Sequence, residues 1–132
     1  NKGSALGNLA EYERAIMCFD RAIDLKPNYA EAYLNRGVAY SKLGLYDQAL
    51  KDFEQAVDID PANQEAWCNR GEALRRVKRN EEAMECFGRA IAMDAGNSRA
   101  WKGKALALKA LGRDYEAEEA LTKAAMIESA AI

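Results

Sequence analysis

The chain contains no histidine among its 132 residues. That removes the side chain most often used for proton transfer near neutral pH and the commonest metal ligand. Three cysteines, an odd number without a CxxC pair, give no disulfide framework or thiolate metal site. Cys18 and Cys86 hold equivalent places far apart in the chain, which points to free thiols in a reducing, cytoplasmic compartment. No apolar run approaches the length of a membrane span. Glycine-rich phosphate loops are missing as well. Charge of one sign is not in excess: the net charge of −2 and pI near 5.3 argue against nucleic acid as a partner. With only two prolines, and 49% hydrophobic and 30% charged residues, the composition is that of an ordered chain rather than a disordered or fibrous one.

What is present is a repeat with a period of 34 residues. Tyr33, Trp67 and Trp101 share one position; Gly3, Gly37, Gly71 and Ala105 share another. The same step links Ala15, Ala49, Ala83 and Ala117, then Phe19, Phe53, Phe87 and Leu121, then Ala22, Ala56, Ala90 and Ala124. Pro27 and Pro61 close two units where Ala95 and Ser129 stand in the others. Such a period indicates stacked supersecondary units that bury a shared core.

Within residues 30–63, Ala32, Tyr33, Val38, Ala39, Tyr40 and Leu43 recur at helical spacing, and Gly44 supplies a stop. Ala49, Leu50, Phe53, Ala56, Val57 and Ile59 form a second apolar stripe, which Pro61 ends. Asn63 is placed to cap the next helix. The pattern predicts helices over about 30–43, 46–60, 64–77, 80–94, 98–111 and 114–128, preceded by separate helices over 1–9 and 12–25. Gly37, Ala39, Ala49 and Ala56 fall where helices must approach closely, with Phe53 filling the space they leave.

Tyr33, Gly37, Tyr40, Ala49, Phe53, Ala56 and Pro61, and again Trp67, Gly71, Ala83, Phe87 and Ala90, resemble the signature of the tetratricopeptide repeat family. The resemblance implies an all-α, right-handed superhelical solenoid of antiparallel helix hairpins. Its units are a partial repeat over 1–29 and repeats over 30–63, 64–97 and 98–132. The chain begins partway through a unit, so it reads as a fragment of a longer array. Glu118 and Ala125 make the last unit more polar than Leu50 and Val57 make the second, as expected near the end of an array.

By the same resemblance the first helix of each unit lines a concave groove, and the expected function is a non-enzymatic scaffold that binds a peptide or protein segment there. Asn1, Asn35 and Asn69 form a ladder whose amides could bond a peptide backbone, which Gly103 breaks. Leu34, Val38 and Leu106 are expected off the packed face as apolar anchors. Lys42, Arg75, Arg76, Arg99, Lys102 and Lys109 add positive charge, which favours acidic segments. Cys68 is expected there as an exposed thiol. A two-carboxylate clamp is not expected, because Leu34, Val38 and Gly103 occupy positions it needs. Lys2, Arg36, Arg70 and Lys104 stand where the family carries leucine; their stems should pack while their heads reach solvent or pair with acids on a neighbouring helix, the alternative being a basic strip for an acidic ligand. No cofactor or metal is implied. Self-assembly through exposed array ends, with Met126, Ile127 and Ile132 at one of them, and a regulatory segment of a larger enzyme are the competing readings.

Overall fold

Three short turns divide most of the chain into hairpins, and each is built the same way. Gly44 and Gly112 adopt φ +78°, and Lys78 adopts φ 68° at the equivalent place. Behind each, the next N–H closes onto a carbonyl five residues back: Leu45 onto Tyr40 at 2.9 Å, Arg79 onto Leu74 at 2.8 Å and Arg113 onto Leu108 at 2.9 Å. This left-handed closure satisfies helix-end carbonyls and reverses the chain.

The structure, a computed structural model, describes residues 2–130, with side chains from Leu9 onward. Asn1 and Ile132, and the side chain of Lys2, therefore lie outside the described residues. Seven helices are described: α1 (Lys2–Leu25), α2 (Ala30–Lys42), α3 (Tyr46–Ile59), α4 (Gln64–Arg76), α5 (Asn80–Met93), α6 (Ser98–Ala110) and α7 (Asp114–Ala130). Among the described residues there is no strand, and no helix is long and apolar enough to cross a membrane.

One expectation is corrected. The separate helices over 1–9 and 12–25 are a single helix, α1. Ala10 stands where Gly44, Lys78 and Gly112 turn the chain. Alanine is the strongest helix former and resists the left-handed region by about 1–2 kcal/mol, so the helix runs through.

The helices form two compact units, Asn1–Pro61 and Ala62–Ile132. In the first, α2 packs on both α1 and α3. Phe53 of α3 is buried against α2, where Gly37 has no side chain to obstruct the ring. In the second, α5 packs on α4 and α6, and α6 packs on α7. Phe87 of α5 is buried facing Gly71 of α4 and Gly103 of α6. Two small clusters flank it. Cys68, Ala90 and Ala100 pack with Trp67 and Ile91, while Ala105, Leu108, Ala117 and Ala120 pack with Met84 and Trp101.

Helix starts are equally specific in this unit. Asn63 Oδ1 accepts from Ala66 N at 3.2 Å and Asn97 Oδ1 accepts from Ala100 N at 3.1 Å, capping α4 and α6. Where Ala95 replaces proline after α5, Asp94 Oδ1 accepts from Gly96 N at 2.9 Å and shapes the turn. On α7, Glu118 and Leu121 are exposed, whereas Leu50 and Phe53 on α3 are buried.

Candidate functional site

In the second unit the small residues Gly71 and Gly103 let α4 and α6 close on either side of Phe87, and α4 and α6 also touch. That brings two sequence-selected residues together. Arg99 Nη2 donates to Asn69 Oδ1 at 2.5 Å. Asn69 is 7% exposed, and its Nδ2 is buried with no hydrogen-bond partner among the described residues. An unmet buried donor costs about 1–3 kcal/mol, so this amide holds an unspent bond.

Cys68 sits beside this pair. It is 1% exposed, so the expectation of an exposed thiol is overturned. The cause is its place on the flank of α4, packed on Ala90 and Ala100. Burial pushes the thiol pKa up, opposed by the charge of Arg99 and by Asn97, whose Nδ2 donates to Sγ at 3.6 Å. The same Nδ2 donates to Gln64 Oε1 at 2.7 Å, tying the start of α6 to the start of α4.

Arg75 and Arg76 are less free than their sequence suggests. Arg75 Nη2 lies 2.6 Å and Arg76 Nε 3.1 Å from Glu72 Oε1. Burial of Glu72 works against its ionisation, but the bonds and charges of Arg75 and Arg76 outweigh it and hold the carboxyl below its ordinary range. On α6, Arg99, Lys102 and Lys109 are exposed around Leu106, which is 46% exposed. Lys102 pairs with Glu128 of α7.

In the first unit the candidates separate. Leu34 is 5% exposed, which corrects its assignment as an anchor for a partner side chain. It holds the position that Cys68 holds one repeat later, and that position lies on a packed flank of the first helix rather than on its open face. Asn35 and Val38 are half-buried and Lys42 is exposed.

In the basic ladder, Arg36 ties three helices together. Arg36 donates from Nε and Nη2 to the two carboxylate oxygens of Asp52 on α3, at 2.8 and 2.6 Å, and from Nη1 to Asp20 on α1 at 2.7 Å. These bonds, Asp52 foremost, raise its pKa further above its already high value despite partial burial. Its guanidinium also lies 5.6 Å from the Tyr33 ring centre, as Arg70 lies 5.6 Å from Trp67 and Lys104 5.4 Å from Trp101. The acids that Arg36 pairs with lie 16 residues to either side, a separation that no helical periodicity within one element brings to notice.

Among the described residues no group of three or more histidine, cysteine or acidic side chains could hold a metal ion. The arrangement is suited to noncovalent recognition by amide, guanidinium and ammonium groups on α4 and α6.

Comparison with known proteins agrees with this geometry. Family models described as tetratricopeptide repeat match residues 30–63 and 64–97, and one described as TPR repeat matches residues 8–44. No curated protein sequence matches the chain. Among solved structures, a crystal structure of MamA is 25% identical, with a TM-score of 0.87 over 91% of this chain and 70% of that one. A MamA structure from Desulfovibrio magneticus RS-1 is 27% identical, with a TM-score of 0.86 over 97% of this chain and 72% of that one. The second TPR of Spaghetti (RPAP3), bound to the HSP90 peptide SRMEEVD, is 26% identical, with a TM-score of 0.72 over 74% of this chain and 91% of that one. With its repeat register, helix hairpins and matched models in agreement, the chain belongs to the tetratricopeptide repeat family.

Proposed function

We propose that this chain is a non-enzymatic, cytoplasmic interaction scaffold, and that the α4–α6 face of its second unit holds an extended acidic protein segment. The observation that carries the reading is the buried, unmet Nδ2 of Asn69 beside the exposed Arg99. An acidic side chain arriving at Arg99 draws the guanidinium off Asn69 Oδ1. The freed amide then accepts from a backbone N–H and donates to a backbone C=O, recognising the chain without reading its sequence. Lys102 and Lys109 extend the positive surface along α6, and Leu106 offers an apolar contact between them. The RPAP3 domain among the similar structures binds a peptide with three acidic residues, SRMEEVD, which supports a peptide ligand of this charge.

The test is fluorescence anisotropy with labelled SRMEEVD, with its C-terminus free or amidated. Asn69→Ala and Arg99→Ala should each weaken binding roughly tenfold, the loss of one good charged or buried bond, while circular dichroism stays unchanged. The amidated peptide should bind as well as the free acid, since the contacts are to backbone and side-chain acids. Unaltered binding by both variants would move the site away from this face.

A further inference from the structure

We propose that the acidic helix α7 of one copy docks on the basic face of α6 of another, so that the chain assembles head to tail and covers its own ligand-binding face. The inference rests on the α6 face being the binding face proposed above.

Charge is segregated between these two helices. α6 carries Arg99, Lys102, Lys104 and Lys109 and no acid; α7 carries Asp114, Glu116, Glu118, Glu119 and Glu128 against Lys123 alone. Within one copy the two helices are joined by the Lys102–Glu128 pair. Among the described residues, Lys109, Glu118 and Glu119 have no ion-pair partner. Complementary charge therefore remains on two different surfaces of the same chain.

Each surface also has an apolar centre. On α6, Arg99, Lys102, Leu106 and Lys109 recur at helical spacing along one exposed face. On α7, Tyr115, Glu118, Glu119, Thr122, Lys123 and Met126 line a shallow groove of about 500 Å³. Tyr115 is 80% and Met126 63% exposed, large side chains that share this groove with Glu118 and Glu119. The face that is basic around Leu106 thus meets one that is acidic around Tyr115 and Met126.

Repeat register explains why α7 accepts a charged helix rather than a packed one. On α5, Met84 packs with the cluster on α6 and α7, and Phe87 faces Gly103. The same positions on α7 are Glu118 and Leu121, both exposed. A helix bringing amines satisfies Glu118, whereas one bringing only small apolar residues would bury it unpaired. Because the two faces differ, the contact does not close on itself, and copies add in one direction.

Sedimentation equilibrium of the full chain tests this with Lys102→Gln/Lys109→Gln and Glu118→Gln/Glu119→Gln. All four residues are exposed, and glutamine keeps the helix propensity. The wild type should grow past a dimer with rising concentration, and less so in high salt. Each double variant should remain monomeric. An equimolar mixture should form a 1:1 dimer and stop, since only one competent face of each kind is left. A wild type that stays monomeric up to about 1 mM, variants that associate like it, or a mixture that does not pair would each overturn the docking. Labelled SRMEEVD separates this from the peptide reading. Binding to the Glu118→Gln/Glu119→Gln variant, with no assembly of the wild type, removes the docking alone. Assembly through these residues with no peptide bound by that variant removes the peptide reading and leaves the docking.

Discussion

Gly103 of α6 has no room for a side chain because the Phe87 ring of α5 occupies the space a Cβ would need. This is why the asparagine ladder stops at this repeat. The position holds a buried amide bonded to Arg99 at Asn69 on α4 but lies against an aromatic ring on α6.

Gly103→Ala should therefore destabilise the second unit. Alanine favours the helix by about 1 kcal/mol, but crowding a packed ring costs about 1–3 kcal/mol, so the net loss is up to about 2 kcal/mol. Phe87→Ala alone should cost about 3–5 kcal/mol. In the Phe87→Ala background, Gly103→Ala should turn stabilising, because only the helix preference remains. Urea denaturation of the four chains measures the coupling; strictly additive losses would rule out the contact.

The two acids on Arg36 should be unequal. Asp52 is buried and accepts two bonds, whereas the Asp20 side chain is 49% exposed and accepts one. Asp52→Ala leaves a part-buried guanidinium short of bonds, at a cost of about 1–3 kcal/mol. Asp20→Ala should cost less than about 1 kcal/mol. Equal losses in thermal unfolding would contradict this division.

Lys78 occupies a turn that its equivalents Gly44 and Gly112 make without strain. Lys78→Gly should relieve about 1–2 kcal/mol of left-handed strain and lose about 0.4–1 kcal/mol through a freer unfolded chain. A net gain of roughly 0.5–1 kcal/mol is expected, read as a higher midpoint in urea with an unchanged slope.

Glu72 sets an acid limit on the second unit. Its folded pKa is depressed, so its contribution is present above the unfolded value of about 4.3 and is lost as pH falls through the lower folded one. Stability measured from about pH 6 down to about pH 3 should fall more steeply for the wild type than for Glu72→Gln. Parallel curves would show that Arg75 and Arg76 do not act on this carboxyl when folded.

Of the candidate residues, those on exposed helix faces were legible and those on flanks were not. Lys102, Leu106 and Lys109 stand out on α6 as periodicity alone indicates. Leu34 and Cys68 were misplaced because a helix in a stack is covered on more than one side, so its apolar arc is wider than one hairpin requires. The pairing of Arg36 with Asp20 and Asp52 joins three helices, and local spacing carries no sign of it.

The repeat period, the helix–turn–helix unit, the caps at Asn63 and Asn97 and the stops at Gly44 and Gly112 were set by sequence alone, because each is a local preference of backbone or side chain repeated in register. Tertiary structure decided the rest. It determined that Gly103 serves Phe87, that Cys68 is sealed, and that the Asn69 amide keeps a bond unmet beside Arg99. Each of these depends on which side chains from different helices share a volume too small for all of them, and no position along a single helix contains that information.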